Sequence, residues 1–376
     1  MPYIGQKSGT TRMRIKSLYL ENFRNYDRQT FVFSEGLNVI CGANGAGKTN
    51  ALESVFVLSL FRSPRTAKEK ELVRFESDHA RVKAVVEKKY GSGTIDFFID
   101  AAGKKKALVG GLPIKRAAEL VGVLGTVMFS PDEMRLVKET PAERRRFLDI
   151  GLSQQQRAYF VALMRYNKVL KQKNNFLKEC FGDLHADDML SVWDAQLAEY
   201  GASIAARRKK YVSILDKEAA VVHARLSDDK EKLSLGYECA AEGQSEDEIK
   251  TELLAALEKS REKDKKLGFC TVGPHRDDIA ISINGLDGRK FASQGQQRSV
   301  ALAMKLAEAE IYKKEKGEYP VLLLDDVLSE LDAGRQKKLI ELTEGMQTIL
   351  TCTEFSLPVQ AKKFLIKDGV VAGGEK

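Results

Sequence analysis

Two segments near opposite ends of this 376-residue chain carry halves of one nucleotide site: Gly42-Ala-Asn-Gly-Ala-Gly-Lys-Thr49 and Val321-Leu-Leu-Leu-Asp-Asp326. Neither half suffices alone, so any fold of this chain must bring them together across everything that lies between. The first fits GxxxxGK[ST]. A short apolar run, Gly36-Leu-Asn-Val-Ile-Cys41, precedes it, and Leu52, Val55, Phe56 and Leu60 follow at helical spacing. Strand, loop, helix is the context that a phosphate loop requires.

Glycine at 42, 45 and 47 lets backbone N–H groups turn inward around phosphates where a Cβ would obstruct the turn. The following helix directs its positive end at the same place. Lys48 is placed for the β and γ phosphates and the Thr49 hydroxyl for Mg²⁺, with Asn44 and Asn50 among the candidate nucleotide contacts. Four apolar residues ending in Asp325-Asp326 describe a buried central strand. Ligands of a parallel sheet sit beyond the carboxyl ends of its strands. Asp325 is therefore expected to hold Mg²⁺ and Asp326 to orient or deprotonate a water. Lys48, Asp325 and Asp326 are the candidate catalytic groups.

A third element, Ser293-Gln-Gly-Gln-Gln297, opens a stretch in which Val300, Met304, Ala307 and Ile311 share one helical face. Serine, amides and backbone N–H groups at a helix N-terminus suit an anion, although a capped surface helix would use the same residues. Ser329-Glu-Leu-Asp332, directly after the Asp pair, favours the anion site.

Residues 13–40 read as strand, turn, strand. Val82-Lys-Ala-Val-Val86, Thr94-Ile-Asp-Phe-Phe-Ile99 and Ala107-Leu-Val109 suggest antiparallel strands, and 123–129 one more, stopped by Ser130-Pro131. Between 132 and 266 the only proline is Pro141, and helical patterns cover 148–180, 190–226 and 249–265, with turns near Gly182-Asp183 and 241–245. Strand-like residues resume at Gly268-Phe-Cys-Thr-Val272 and Ile279-Ala-Ile-Ser-Ile283. The expected fold class is α/β: a discontinuous head, 13–130 plus 268–376, interrupted by an inserted helical domain at 131–267, with 1–12 as a flexible leader.

The five cysteines have no CxxC spacing and the four histidines do not cluster with them, which reads as a reduced, cytoplasmic protein without structural zinc. No run approaches the ~18 apolar residues of a membrane helix, and the N-terminus lacks an apolar signal core. A net charge of +8 favours a polyanionic partner, while 61 basic and 53 acidic residues also describe ordinary solvated surface. Arg144-Arg-Arg146, Arg207-Arg-Lys-Lys210 and Lys104-Lys-Lys106 are candidate DNA phosphate contacts. His275-Arg-Asp277 reads as a hydrogen-bonded loop stabiliser rather than a catalytic group.

Phosphate loop, serine-glycine-glutamine signature, acid-ended apolar strand and SxLD together resemble the ABC-type ATPase module. In that family the signature of one subunit caps the γ-phosphate held by the other. The resemblance therefore implies an ATP-closed homodimer in which Ser293, Gly295 and Gln296 act in trans and Asp332 lies at the seam. Many such ATPases carry glutamate where Asp326 stands, which leaves a general-base role for Asp326 open. Transporter subunits place the signature much nearer the phosphate loop, and SMC-like repair ATPases insert coiled coils of hundreds of residues. Here about 240 residues intervene and the insert is about 137 long.

Longer phrases are similar to the RecF family from residue 13 to the C-terminus. Among them are Leu20-Glu-Asn-Phe-Arg-Asn-Tyr26, Arg62-Ser-Pro-Arg-Thr66, Phe129-Ser-Pro-Asp132, Gly273-Pro-His-Arg-Asp-Asp278 and Leu324-Asp-Asp-Val-Leu-Ser-Glu-Leu-Asp332. Arg24 and Asn25 fall where related heads contact nucleotide phosphates, or else cap a turn. The switch histidine of other ABC-type ATPases is replaced near Thr351-Cys-Thr353, so a threonine hydroxyl is the candidate γ-phosphate sensor. The resemblance implies ATP and Mg²⁺ as cofactors, weak DNA-stimulated ATPase activity, and an ATP-induced homodimer on duplex DNA beside single-stranded gaps. It further implies work with RecR, and indirectly RecO, in loading RecA during gap repair and SOS induction, in the nucleoid-associated cytoplasm.

Overall fold

The computed structural model describes residues 13–66, 68–179, 186–367 and 369–372. The leader at 1–12 and the turn at Gly182-Asp183 lie outside them. The chain divides into two compact units, one comprising the described residues up to Glu133 and from Leu302 onward, the other Met134–Ala301. The second boundary falls inside the helix Gln294–Lys316.

The first unit is built on two sheets. In one, Val370–Val371, Lys362–Lys367, Leu37–Cys41, Thr348–Cys352, Val321–Asp325 and Thr126–Phe129 lie side by side. All neighbours are parallel except the antiparallel edge pair Val370–Val371 and Lys362–Lys367, so the sheet is mixed. Val321 through Leu324 are wholly buried, as a central strand covered on both faces must be, and this is why the sequence shows an unbroken apolar run there. The other sheet is antiparallel, in the order Tyr26–Val32, Arg14–Phe23, His79–Lys88, Gly91–Asp100, Lys105–Val109 and Leu112–Pro113. Buried residues alternate with half-buried ones along His79–Lys88, as in a sheet with one better covered face.

The helix Lys48–Leu60 packs against strands of both sheets, which buries Ala51 through Ser59 on every side. Gln347 ties the sheets together: its side-chain amide accepts from Ile15 N at 2.7 Å and donates to the carbonyls of Ile15 (2.9 Å) and Ser34 (2.8 Å). A buried amide with these backbone partners stands in for a ladder where the Arg14–Phe23 strand shifts register after Ile15.

The second unit is dominated by the helices Pro141–Gln155, Arg157–Glu179, Ala186–Ser227 and Glu246–Leu267. At 42 residues, Ala186–Ser227 extends about 63 Å. It packs beside both Arg157–Glu179 and Glu246–Leu267. Between them Lys173, wholly buried, donates to Asp194 at 2.7 Å and Asp264 at 3.2 Å, so that each buried charge has its counter-charge. Ser245 and Glu248 form a reciprocal capping box at the start of the last helix, and Gly268, with φ of 73°, ends it.

Several expectations change here. The pattern over 148–180 is two helices, broken at Gln156, whose φ of −130° and ψ of 104° are extended; neither proline nor glycine marks the break. Between the helical patterns of the insert, Leu233–Glu238 is a strand paired antiparallel with Asp278–Ile283. The stretch Gly268-Phe-Cys-Thr-Val272 is not a strand. Cys270 N bonds the Asn174 side chain and Thr271 N the Asp264 side chain, so its backbone groups serve a loop and not a ladder. A further strand, Tyr26–Val32, stands between the two read at 13–40.

Candidate nucleotide site

The Leu37–Cys41 strand runs into the glycine-rich loop, and the helix from Lys48 leaves it. Gly45 and Gly47 have φ of 81° and 111°, in the left-handed region where a side chain is strained. Close approach adds a second constraint. A Cβ on Gly47 would lie 2.5 Å from Asn25 Nδ2, and one on Gly42 would lie 2.4 Å from the Ile366 carbonyl. No acidic residue and no side-chain cap occupy the first turn, so the helix N-terminus presents its N–H groups unmasked toward the loop. Lys48 is buried and its ammonium donates to the carbonyls of Gly42 (2.7 Å) and Ala43 (3.0 Å), which holds it folded back along the loop.

Tertiary pairing unites the two sequence halves. Thr49 Oγ1 donates to Asp325 Oδ1 at 2.9 Å, and Thr351 Oγ1 donates to the same oxygen at 2.6 Å. The register explains it: Asp325 and Thr351 are opposite one another on adjacent parallel strands. Burial pushes the Asp325 carboxyl above the usual carboxylate range; the Thr351 and Thr49 hydroxyls and the Arg65 charge draw it down, and Asp326 raises it. Asp326 has left the strand, with φ of 49°, and its N–H donates to Thr351 Oγ1 at 3.0 Å and Thr351 O at 3.2 Å. Its Oδ1 is buried with no hydrogen-bond partner among the described residues.

Arg24 and Asn25 occupy a brace beneath the loop. Arg24, itself at φ of 55°, forks onto the wholly buried Glu53 at 2.9 and 2.8 Å and donates to Glu71 O. Asn25 Nδ2 donates to Ala46 O at 3.0 Å while its Oδ1 accepts from Asn50 at 2.8 Å. Tyr26 completes the brace by donating to Gly47 O at 2.9 Å. Glu53 was not among the sequence candidates. It also accepts from Ser63 (2.6 Å) and Arg65 (3.4 Å), and an acid inside an otherwise apolar helical run was the only sign of this. Asn44 is exposed in the loop.

Asp332 caps the helix Ala333–Leu342, accepting from Arg335 N at 3.0 Å, a bond that holds its carboxyl below the usual range. In the second unit, Ser293 and Gln296 form a reciprocal cap: Gln296 N donates to Ser293 Oγ at 3.3 Å and Ser293 N to Gln296 Oε1 at 2.8 Å. Gln296 Nε2 donates onward to Glu231 at 3.0 Å. Gly295 lies in the first turn of that helix.

One arginine in each of two basic clusters proves buried. Arg144 is buried, pairing with Asp278 through two bonds of 2.6 and 2.9 Å and donating to the carbonyls of Leu136 and Glu139. Arg208 is likewise buried, against Asp149, Tyr159 and Pro274 O. Neither guanidinium is free for a DNA phosphate, because Arg144 balances the buried Asp278 and Arg208 the half-buried Asp149. His275 is a loop brace, its ring between Tyr166 Oη at 2.6 Å and Cys270 O at 2.9 Å.

A phosphate loop facing an acid-ended parallel strand, on this pair of sheets with a helical insertion, defines the head of an ABC-type ATPase. The profile described as RecF/RecN/SMC N terminal domain matches residues 14–365. The DNA replication and repair protein RecF of Clostridium acetobutylicum is 41% identical over 341 residues, covering 91% of this chain and 93% of that one. The RecF of Agathobacter rectalis is 43% identical over 343 residues, covering 91% and 92%. The solved structure of the recombination mediator protein RecF-ATP in the RecFOR pathway superposes with a TM-score of 0.91 at 38% identity, over 99% of this chain and 100% of that one. The chain belongs to the RecF family of DNA replication and repair proteins.

Proposed function

We propose that this chain is an ATP-dependent recombination mediator: ATP and Mg²⁺ close two copies into a clamp on duplex DNA, and slow hydrolysis releases it. The observation that carries the reading is the convergence of Lys48, Thr49, Asp325 and Thr351 on one loop mouth. A hydroxyl and a carboxylate are the hard oxygen donors that Mg²⁺ takes, and the unpartnered Asp326 Oδ1 beside them is an acceptor for a water. Thr49 and Asp325 would hold Mg²⁺, which when bound neutralises phosphate charge. Lys48 binds the β and γ phosphates, Asn44, Asn50 and the loop N–H groups of Gly42, Gly45 and Gly47 orient them, and Arg24 and Asn25 border them. Asp326 positions the attacking water, and its short side chain accords with slow turnover.

On this reading Ser293, Gly295 and Gln296 reach the γ-phosphate of the second copy and Asp332 lies at the seam. By family kinship the DNA is a duplex next to a single-stranded gap, and the work is RecA loading with RecR and RecO, in DNA repair and the SOS response. The relative whose ATP-bound structure superposes on this chain supports ATP as ligand.

Sedimentation and duplex-DNA affinity test it, each measured with and without ATP and Mg²⁺ for native protein, Lys48→Met and Ser293→Arg. Native protein is expected to dimerise and bind DNA with ATP only. Lys48→Met loses ATP binding, and Ser293→Arg binds ATP without dimerising. A native protein that stays monomeric, with DNA affinity indifferent to ATP, overturns the clamp.

A further inference from the structure

Cys41 and Cys352 are opposite one another on adjacent parallel strands, with their sulfurs 3.7 Å apart. Neighbouring strands stand ~4.8 Å apart, a Cα separation within the range that a disulfide spans without moving the backbone far. Cys41 is partly exposed and Cys352 is buried. Each also adjoins a working part of the site. Cys41 is followed by Gly42, whose carbonyl accepts from Lys48, and Cys352 by sequence follows Thr351, whose hydroxyl holds Asp325.

We propose that Cys41 and Cys352 are an oxidisable pair, and that a peroxide converts them to a disulfide which lowers nucleotide affinity. The second half of this proposal rests on the ATPase reading above; the first does not. The Cys41 thiolate attacks one peroxide oxygen and becomes a sulfenic acid, and the leaving hydroxide takes a proton to give water. Cys352 then gives up its proton, its sulfur bonds to the Cys41 sulfur, and the sulfenic oxygen leaves as a second water. Two thiols and one hydrogen peroxide thus give one disulfide and two waters.

The electrostatics assign the order. A hydrogen bond from the Cys352 thiol, with the ammonium groups of Lys363 and Lys48 against the opposing effect of burial, holds Cys41 down at about 7. The same interaction and burial push Cys352 up. The partly exposed sulfur is therefore the nucleophile that meets the oxidant, and the buried one resolves it. Cys239 and Cys270, by contrast, are both raised by burial. Closing the sulfurs from 3.7 Å to ~2.05 Å turns both side chains and locks them beside the loop's first residue. That residue has little slack, since a Cβ on Gly42 would already meet the Ile366 carbonyl at 2.4 Å. Lasting disulfides are rare in reducing compartments, so a pair of this kind acts as a reversible sensor.

The test treats reduced full-length protein with hydrogen peroxide, then denatures, alkylates and maps the peptides by mass. A linked pair of peptides containing Cys41 and Cys352 is expected, released by dithiothreitol and absent from Cys41→Ser and Cys352→Ser. Dimedone, which labels sulfenic acids, is expected to mark Cys41 in Cys352→Ser. Affinity for a fluorescent ATP analogue is expected to fall about tenfold or more on oxidation. It recovers with dithiothreitol, and Cys352→Ser keeps it after peroxide once reduced.

Both thiols remaining alkylatable overturns the pairing. A linked protein with unchanged affinity overturns the effect on nucleotide. If reduced protein binds no nucleotide, the ATPase reading and this effect fall together, while the peptide map still decides the pairing.

Discussion

Thr351 Oγ1 donates to Asp325 Oδ1 at 2.6 Å and accepts from Asp326 N at 3.0 Å, so one hydroxyl fixes both acids at the end of the central strand. Hydrogen bonds to charged groups contribute about 1.5–3 kcal/mol. Thr351→Val should therefore weaken Mg²⁺-dependent nucleotide binding or turnover about 10- to 100-fold. The hydroxyl lowers the Asp325 carboxyl, so its loss should also move the acid limb of the activity profile to higher pH. Thr351→Ser should restore both; equal activity of native and valine proteins across pH would remove Thr351 from the site.

The two loop glycines differ in what surrounds them. Gly45 has open space, so Gly45→Ala bears only the left-handed backbone cost of about 1–2 kcal/mol. Gly47→Ala adds a collision with Asn25 and should lose roughly 1–3 kcal/mol more. Urea unfolding of both variants measures the difference.

Arg144 sits in a run of three arginines that reads as a DNA contact, yet it is buried against Asp278. Arg144→Ala leaves that carboxylate only the longer contact to Arg289 at 3.3 Å as counter-charge and should destabilise by about 3 kcal/mol, read from urea unfolding. DNA affinity of the folded protein, expressed per native molecule, should change little. A large loss of affinity with unchanged stability would restore the surface role.

His275 and Asp277 shift in opposite senses. Burial drives His275 down to about 4, so its share of stability is present at high pH and is lost as pH falls from 6.5 toward 4. Burial drives Asp277 up to about 6, although Tyr237 and Arg208 oppose it, and its share is gained as pH falls from about 6 toward 3.8. Between pH 4 and 6 the two slopes offset one another. Asp277→Asn should expose the histidine slope, making stability fall about 1.4 kcal/mol per unit faster on acidification than in native protein. Parallel pH dependences in urea unfolding would contradict this.

Several features were legible because they are local. The phosphate loop, the apolar Val321–Leu324 run and the helical face of Val300, Met304, Ala307 and Ile311 each follow from steric or solvation rules acting within a few residues. The break at Gln156 and the strand Leu233–Glu238 were not legible. The first carries no breaker residue, and the second takes its strand identity from Asp278–Ile283, some forty positions later.

The candidate chemistry was already written in local residue runs: three glycines, a lysine and a hydroxyl around phosphates, and a pair of acids after an apolar strand, because residue type and short spacing decide what a segment can bind. Which distant groups share an atom came from the fold. Parallel register set Thr351 on Asp325 and Cys352 against Cys41, and the packing of the Lys48–Leu60 helix set Thr49 there; burial placed Glu53 under Arg24 and withdrew Arg144 and Arg208 from the surface. Those pairings depend on strand order and enclosed volume, which no local run of residues encodes.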